Sequence, residues 1–106
     1  MKNRYTFRIS STLKKQIEIT SIKLDTNASA LVNTILESRL VNQVNFYIYK
    51  NTKKLEYDNV QVRYQLTEEN HNKILTFKEE FNITKSQVIS AILSTYIHQT
   101  TFDNNK

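Results

Sequence analysis

The sequence predicts a mostly α-helical fold in which two short β-strands pair with each other, and three observations predict it. The chain of 106 residues repeats its hydrophobic pattern once, without a gap, at a displacement of 57 positions. Each copy opens with strict alternation of polar and apolar residues and then switches to helical spacing. A lone strand leaves its backbone hydrogen bonds unmet and an isolated two-stranded ribbon is marginal in water, so each copy needs the other.

In the first copy Arg4, Thr6 and Arg8 alternate with Tyr5, Phe7 and Ile9, and in the second Gln61, Arg63 and Gln65 alternate with Val62, Tyr64 and Leu66. Both segments read as strands with one polar and one apolar face. Ser10 and Thr67 follow as helix N-caps. Leu13, Ile17 and Leu24, then Ile74, Phe77 and Phe81, recur at helical spacing and mark first helices. After Asp25-Thr26 and Asn82-Ile83, Asn27 and Thr84 cap second helices. The stripes of these are Leu31, Ile35, Leu36 and Leu40, and Val88, Ile92, Leu93 and Ile97. Leu13 lies over Asn70, Thr20 over Phe77 and Thr26 over Ile83, so the copies are not expected to pack identically.

Residues 1–44 thus form the first copy, 45–59 a connector, 60–99 the second copy and 100–106 a polar tail expected to fray, all within one compact domain. The connector reads two ways. Val44 and Ile48 continue the second-helix stripe, whereas Phe46-Tyr47-Ile48-Tyr49 looks strand-like. The favoured reading is a helix ending near Val44, extended chain, a turn over 50–54, and Leu55-Glu56-Tyr57 returning as a short hairpin strand.

Composition narrows the function. The chain has no Cys, hence neither a disulfide framework nor a thiolate metal site, and no Gly, hence no Gly-rich phosphate loop. His71 and His98 stand apart from any cluster with metal-ligand spacing, and Glu68-Glu69 and Glu79-Glu80 read as solvated helix faces. No enzyme and no cofactor is expected. No apolar run approaches membrane-spanning length, so the expectation is a soluble protein of the cytoplasm, or of the host cytoplasm if viral. Net charge is +5, with seven Lys/Arg against three Asp/Glu over residues 1–44 and five against five over 60–106. That surplus favours a polyanionic partner and places it on the first copy.

The strand-helix-helix pattern, with second helices starting Asn27-Ala28-Ser29-Ala30-Leu31-Val32 and Thr84-Lys85-Ser86-Gln87-Val88-Ile89, resembles the ribbon-helix-helix (Arc/MetJ-like) family of DNA-binding proteins. The resemblance covers about four fifths of the chain, in two copies. It departs from the family in lacking a Gly between the helices, where Asn27 or Asn82 stands instead, and in its longer connector. What it implies is an intramolecular pseudo-dimer: two strands paired antiparallel as a β-ribbon, with four helices wrapped around them. One chain then does what usually takes two, with further assembly on DNA left open.

In such an architecture the polar ribbon face enters the major groove of double-stranded DNA. Arg4, Thr6, Arg8, Gln61, Arg63 and Gln65 would read bases: Arg suits the two acceptors of guanine, Gln suits adenine, and Thr suits a thymine methyl. The second-helix starts, Asn27, Ala28 and Ser29 with Thr84, Lys85 and Ser86, would hold phosphates through free backbone N–H groups. Lys14 and Lys15, with Lys53 and Lys54, would add sequence-independent attraction. The expectation is a sequence-specific transcriptional regulator acting as a repressor, of the kind a plasmid or virus encodes. The alternatives are an antitoxin-type protein-interaction module and a plasmid copy-control or partition protein.

Overall fold

The structure is a computed structural model that describes the backbone of residues 2–47 and 59–104 and the side chains of 2–47 and 59–99. The two alternating segments form β1, Lys2–Ser10, and β2, Asn59–Thr67, paired antiparallel in a two-stranded sheet. Their register runs from Lys2 opposite Thr67 to Ser10 opposite Asn59. Each strand leads directly into two helices: α1, Ser11–Lys23, and α2, Ala28–Glu37, after β1; α3, Glu68–Phe81, and α4, Lys85–Asn104, after β2. The molecule is therefore mostly helical around one β-ribbon. Among the described residues, no helix is long and apolar enough to cross a membrane.

Local chemistry explains each boundary. Ser10 Oγ accepts from Leu13 N at 3.1 Å and Thr67 Oγ1 from Asn70 N at 3.1 Å, so both strands end in an N-cap and the chain turns at once into a helix. Asn27 Oδ1 caps α2 by accepting from Ala30 N at 2.9 Å. Thr84 and Gln87 exchange bonds at the start of α4: Gln87 N donates to Thr84 Oγ1 and Thr84 N to Gln87 Oε1, a reciprocal capping box.

Glycine's usual place at the helix–helix corners is taken by Asp25 (φ 57°) and Asn82 (φ 53°), whose short polar side chains tolerate the left-handed region. Behind them, Thr26 N donates to Ser21 O and Ile83 N to Lys78 O, the long closing bond of a helix end, at matching places in the two copies. This corrects the reading of Asn27 as the glycine stand-in: its backbone is extended, at φ −119°, because it serves as a cap.

Further expectations change. The second helix of the first copy ends at Glu37, not near Val44. Ser38, in extended conformation, caps a short 3₁₀ turn over Arg39–Gln43, and Phe46 and Tyr47 are helical rather than strand-like. The turn and hairpin expected within 50–57 lie outside the described residues. In the second copy the helix continues through Asn104, so the polar tail extends α4 over residues 100–104. Leu24, expected in the first-helix stripe, is exposed.

The core lies beneath the ribbon. Phe7, Ile9, Val62, Tyr64 and Leu66 point down from the strands onto Leu13, Ile17, Leu31, Val32, Ile35 and Leu36 of the first copy and Ile74, Val88, Ile89, Ile92 and Leu93 of the second. Full burial of such side chains stabilises by roughly 1.5–3 kcal/mol each relative to exposure. The copies diverge where their sequences do. Phe46 is buried against Phe77 at 4.7 Å and Phe81 at 5.0 Å between ring centres, so the two aromatic residues of α3 are covered by the segment after the 3₁₀ turn.

Candidate nucleic-acid interface

The strand period puts Arg4, Thr6, Arg8, Gln61, Arg63 and Gln65 on the ribbon face opposite the core, and all six are exposed. Register sets them side by side as Arg4–Gln65, Thr6–Arg63 and Arg8–Gln61. No two arginines face each other directly, an arrangement that avoids the like-charge cost of cross-strand pairs. Each end of the face carries one Arg and one Gln. The two ends are thus alike in residue types although both terminal arginines belong to β1. Arg8 Nη2 also reaches Asn59 O at 3.4 Å, at the far end of the partner strand.

The helix starts are fastened to the two outer edges of this ribbon. Ser29 Oγ accepts from Gln65 N at 2.9 Å and Ser86 Oγ accepts from Arg8 N, also at 2.9 Å. These bonds occupy equivalent places in the two copies, and each joins a helix of one copy to the strand of the other. Ser29 and Ser86 therefore spend their oxygens on edge-strand amides that would otherwise be unpaired, while the first amides of α2 and α4 have no partner within their own helix. Asn27 and Thr84 are committed to capping. Ala28, half-buried, begins α2 beside the same edge.

The lysines of the expected phosphate set have neighbours of their own. Lys85 Nζ lies 5.9 Å from the ring centre of Tyr5 and 3.4 Å from His71 Nε2. His71 in turn stacks on Tyr5 with centres 3.7 Å apart and planes 6° from parallel. Burial, and secondarily the Lys85 charge, hold His71 below the usual imidazole range. Lys14 is paired with Glu18 on α1 at 2.6 Å, and Lys15 is exposed on the outward side of the same helix. Lys53 and Lys54 fall outside the described residues.

One supporting residue escaped the sequence reading. Asn33, buried on α2, donates to Gln65 O at 2.8 Å and accepts from Thr67 N at 3.2 Å, so it holds β2 by the backbone on either side of Leu66. It also accepts from Asn70 Nδ2 at 2.8 Å, and the same Asn70 amide reaches Glu37 Oε2 at 3.1 Å. The corresponding residues of the other copy are Ser90 and Leu13, both buried, so a hydrogen-bonded amide pair in one copy stands where the other has a hydroxyl and a leucine. The available signal was a polar residue inside an apolar stripe at the same repeat position twice, Asn33 and Ser90. Comparison of the chain with protein-family models, curated proteins and solved structures finds no match.

Proposed function

We propose that the chain is a sequence-specific double-stranded DNA-binding protein, a transcriptional repressor, built as a ribbon-helix-helix pseudo-dimer within one polypeptide. The observation that carries this reading is the solvent-facing row of Arg4, Thr6, Arg8, Gln61, Arg63 and Gln65 on a two-stranded ribbon. Two strands about 5 Å apart fit a major groove about 12 Å wide. The side chains are donors and acceptors of the kind that discriminate base edges there. Helix starts secured at both edges by Ser29 and Ser86 support phosphate contacts on either side, which would set the register of the ribbon on the duplex. Occupying the groove at a promoter would block access to it, and this is the mode of repression proposed.

The test is a fluorescence-anisotropy titration of duplexes taken from a random-sequence selection. A selected duplex should bind at least ~10³-fold more tightly than a scrambled one. Affinity should fall steeply with salt, the log–log slope rising by about 0.9 for each phosphate neutralised. A slope near zero, or equal affinity for all duplexes, would refute the proposal.

A further inference from the structure

The outward faces of α1 and α3 occupy the same positions of the repeat and carry opposite chemistry. On α1, Lys15, Ile19, Ile22 and Lys23 follow one another at helical spacing; 57 positions on, α3 has Asn72, Thr76, Glu79 and Glu80, and all eight are exposed. As a whole α1 holds three Lys against one Glu, and α3 holds four Glu against two Lys, of which Lys73 is half-buried and donates to Leu36 O.

Ile19 and Ile22, the apolar part of the α1 face, are 46% and 75% exposed; Leu24, also exposed, lies past the helix end in line with Leu13 and Ile17. At the matching end of α3 stands a second apolar surface, where Tyr47, 65% exposed, meets the half-buried Phe81 edge-on at 4.9 Å between ring centres. The outward face of α1 thus presents Ile19 and Ile22 among lysines, and the last turn of α3 presents Glu79 and Glu80, with Lys78 exposed before them and Tyr47 on Phe81 at the helix end.

We propose that these two faces dock on each other between copies of the chain, Ile19 and Ile22 of one molecule against the exposed Tyr47 of the next, with Lys15 and Lys23 beside Glu79 and Glu80. Pairing α1 with α1 would set Lys15 and Lys23 against lysine, and pairing α3 with α3 would set Glu79 and Glu80 against glutamate. Opposite charge selects the unlike pairing. A contact between unlike surfaces leaves one of each free, so it repeats from molecule to molecule and gives the row a direction. The contact does not depend on DNA binding, and its test needs no DNA.

The experiment is sedimentation equilibrium of the purified chain at low ionic strength, up to roughly millimolar concentration, the range of weak contacts. The average mass should rise above one chain with concentration and fall again with added salt. Lys23→Glu and Glu80→Lys should each weaken association by about fivefold or more, and Ile22→Ser by about tenfold. These positions are exposed, so melting temperatures should stay at the wild-type value. A mixture of the Lys23→Glu and Glu80→Lys proteins should associate again, since each supplies the charge that the other's reversed face requires. A wild type that remains a single chain at every concentration overturns the proposal. So does association that Glu80→Lys leaves unchanged, which would indicate α1 pairing with α1, and so does a mixture that fails to recover.

Discussion

Thr6 faces Arg63 across the ribbon, and this is the register position at which a residue meets its own counterpart, 57 places further on. The midpoint of the paired strands and the midpoint of the internal repeat therefore coincide. Around it the face reads Arg, Thr, Arg on β1 and Gln, Arg, Gln on β2. If the ribbon reads DNA, Arg63 lies over the centre of the site, and Arg4 and Arg8 lie toward its two ends.

Selection from random DNA should accordingly return two related but unequal half-sites. Arg63→Ala should relax the preference at the centre, and Arg8→Ala at one end, each at a cost of about 1–3 kcal/mol if the lost contact is bidentate to guanine. A perfect palindrome selected by the wild type, or an unchanged selection by both variants, would remove this face as the reading surface.

Asn33 and Asn70 should behave as a coupled pair. Asn33→Ser strips partners from Gln65 O, Thr67 N and the Asn70 amide, and Asn70→Leu removes a buried donor, so each alone should destabilise by about 1–3 kcal/mol. The double variant installs the Ser/Leu combination of the other copy and should be more stable than the sum of the two losses, by about 0.5–3 kcal/mol. Denaturant unfolding of the four proteins measures this, and additive losses would disprove the coupling.

Acid should weaken the fold through His71. Its pKa in the folded chain lies below the ordinary 6.5, because burial and then Lys85 disfavour the imidazolium. The unfolded chain therefore binds the proton more readily, and stability is lost as pH falls below about 6.5 until the folded value is passed, after which the loss levels off. His71→Phe keeps a ring against Tyr5 and should flatten this part of the melting-temperature profile. An unchanged profile in that variant would assign the acid response elsewhere.

The glycine-free corners make a third stability test. Asp25→Gly and Asn82→Gly keep the left-handed backbone accessible and should change stability by less than about 1 kcal/mol, whereas Asn82→Val should cost about 1–2 kcal/mol. Asn27→Ala should cost about 1 kcal/mol for a different reason, the loss of a cap. Thermal unfolding separates the cases, and a tolerated valine at position 82 would contradict the backbone assignment.

The strands, the N-caps at Ser10, Asn27 and Thr67, and the polar row on the ribbon were legible because period and capping chemistry are local. The corners were half legible: a residue with positive φ was required, and choosing between Asp25 and Asn27 depended on how many residues the cap and the closing bond consume. What escaped was set by tertiary partners. The α2 stripe continues past Glu37 in sequence, yet Ser38 ends the helix by turning its hydroxyl to Ile35 O at 2.7 Å and its backbone to extended. Leu24 has helical spacing but is exposed, while Phe81 at the matching place packs on Phe46. The place of Lys85 at a helix start is legible in the sequence, whereas its position over Tyr5 and beside His71 is set by tertiary packing.

The hydrogen bond from Arg8 N to Ser86 Oγ spans 78 positions, and among the described residues β2 is the one strand that pairs with β1. A chain emerging from the ribosome therefore carries its first strand unpartnered until the second copy follows, an interval of several seconds at roughly 5–20 residues per second. Throughout that wait β1 keeps an unpaired backbone edge and an uncovered apolar face of Tyr5, Phe7 and Ile9. Arg4 and Arg8, interleaved with them, put like charge on every copy of that waiting strand, the arrangement that opposes association of such segments in general.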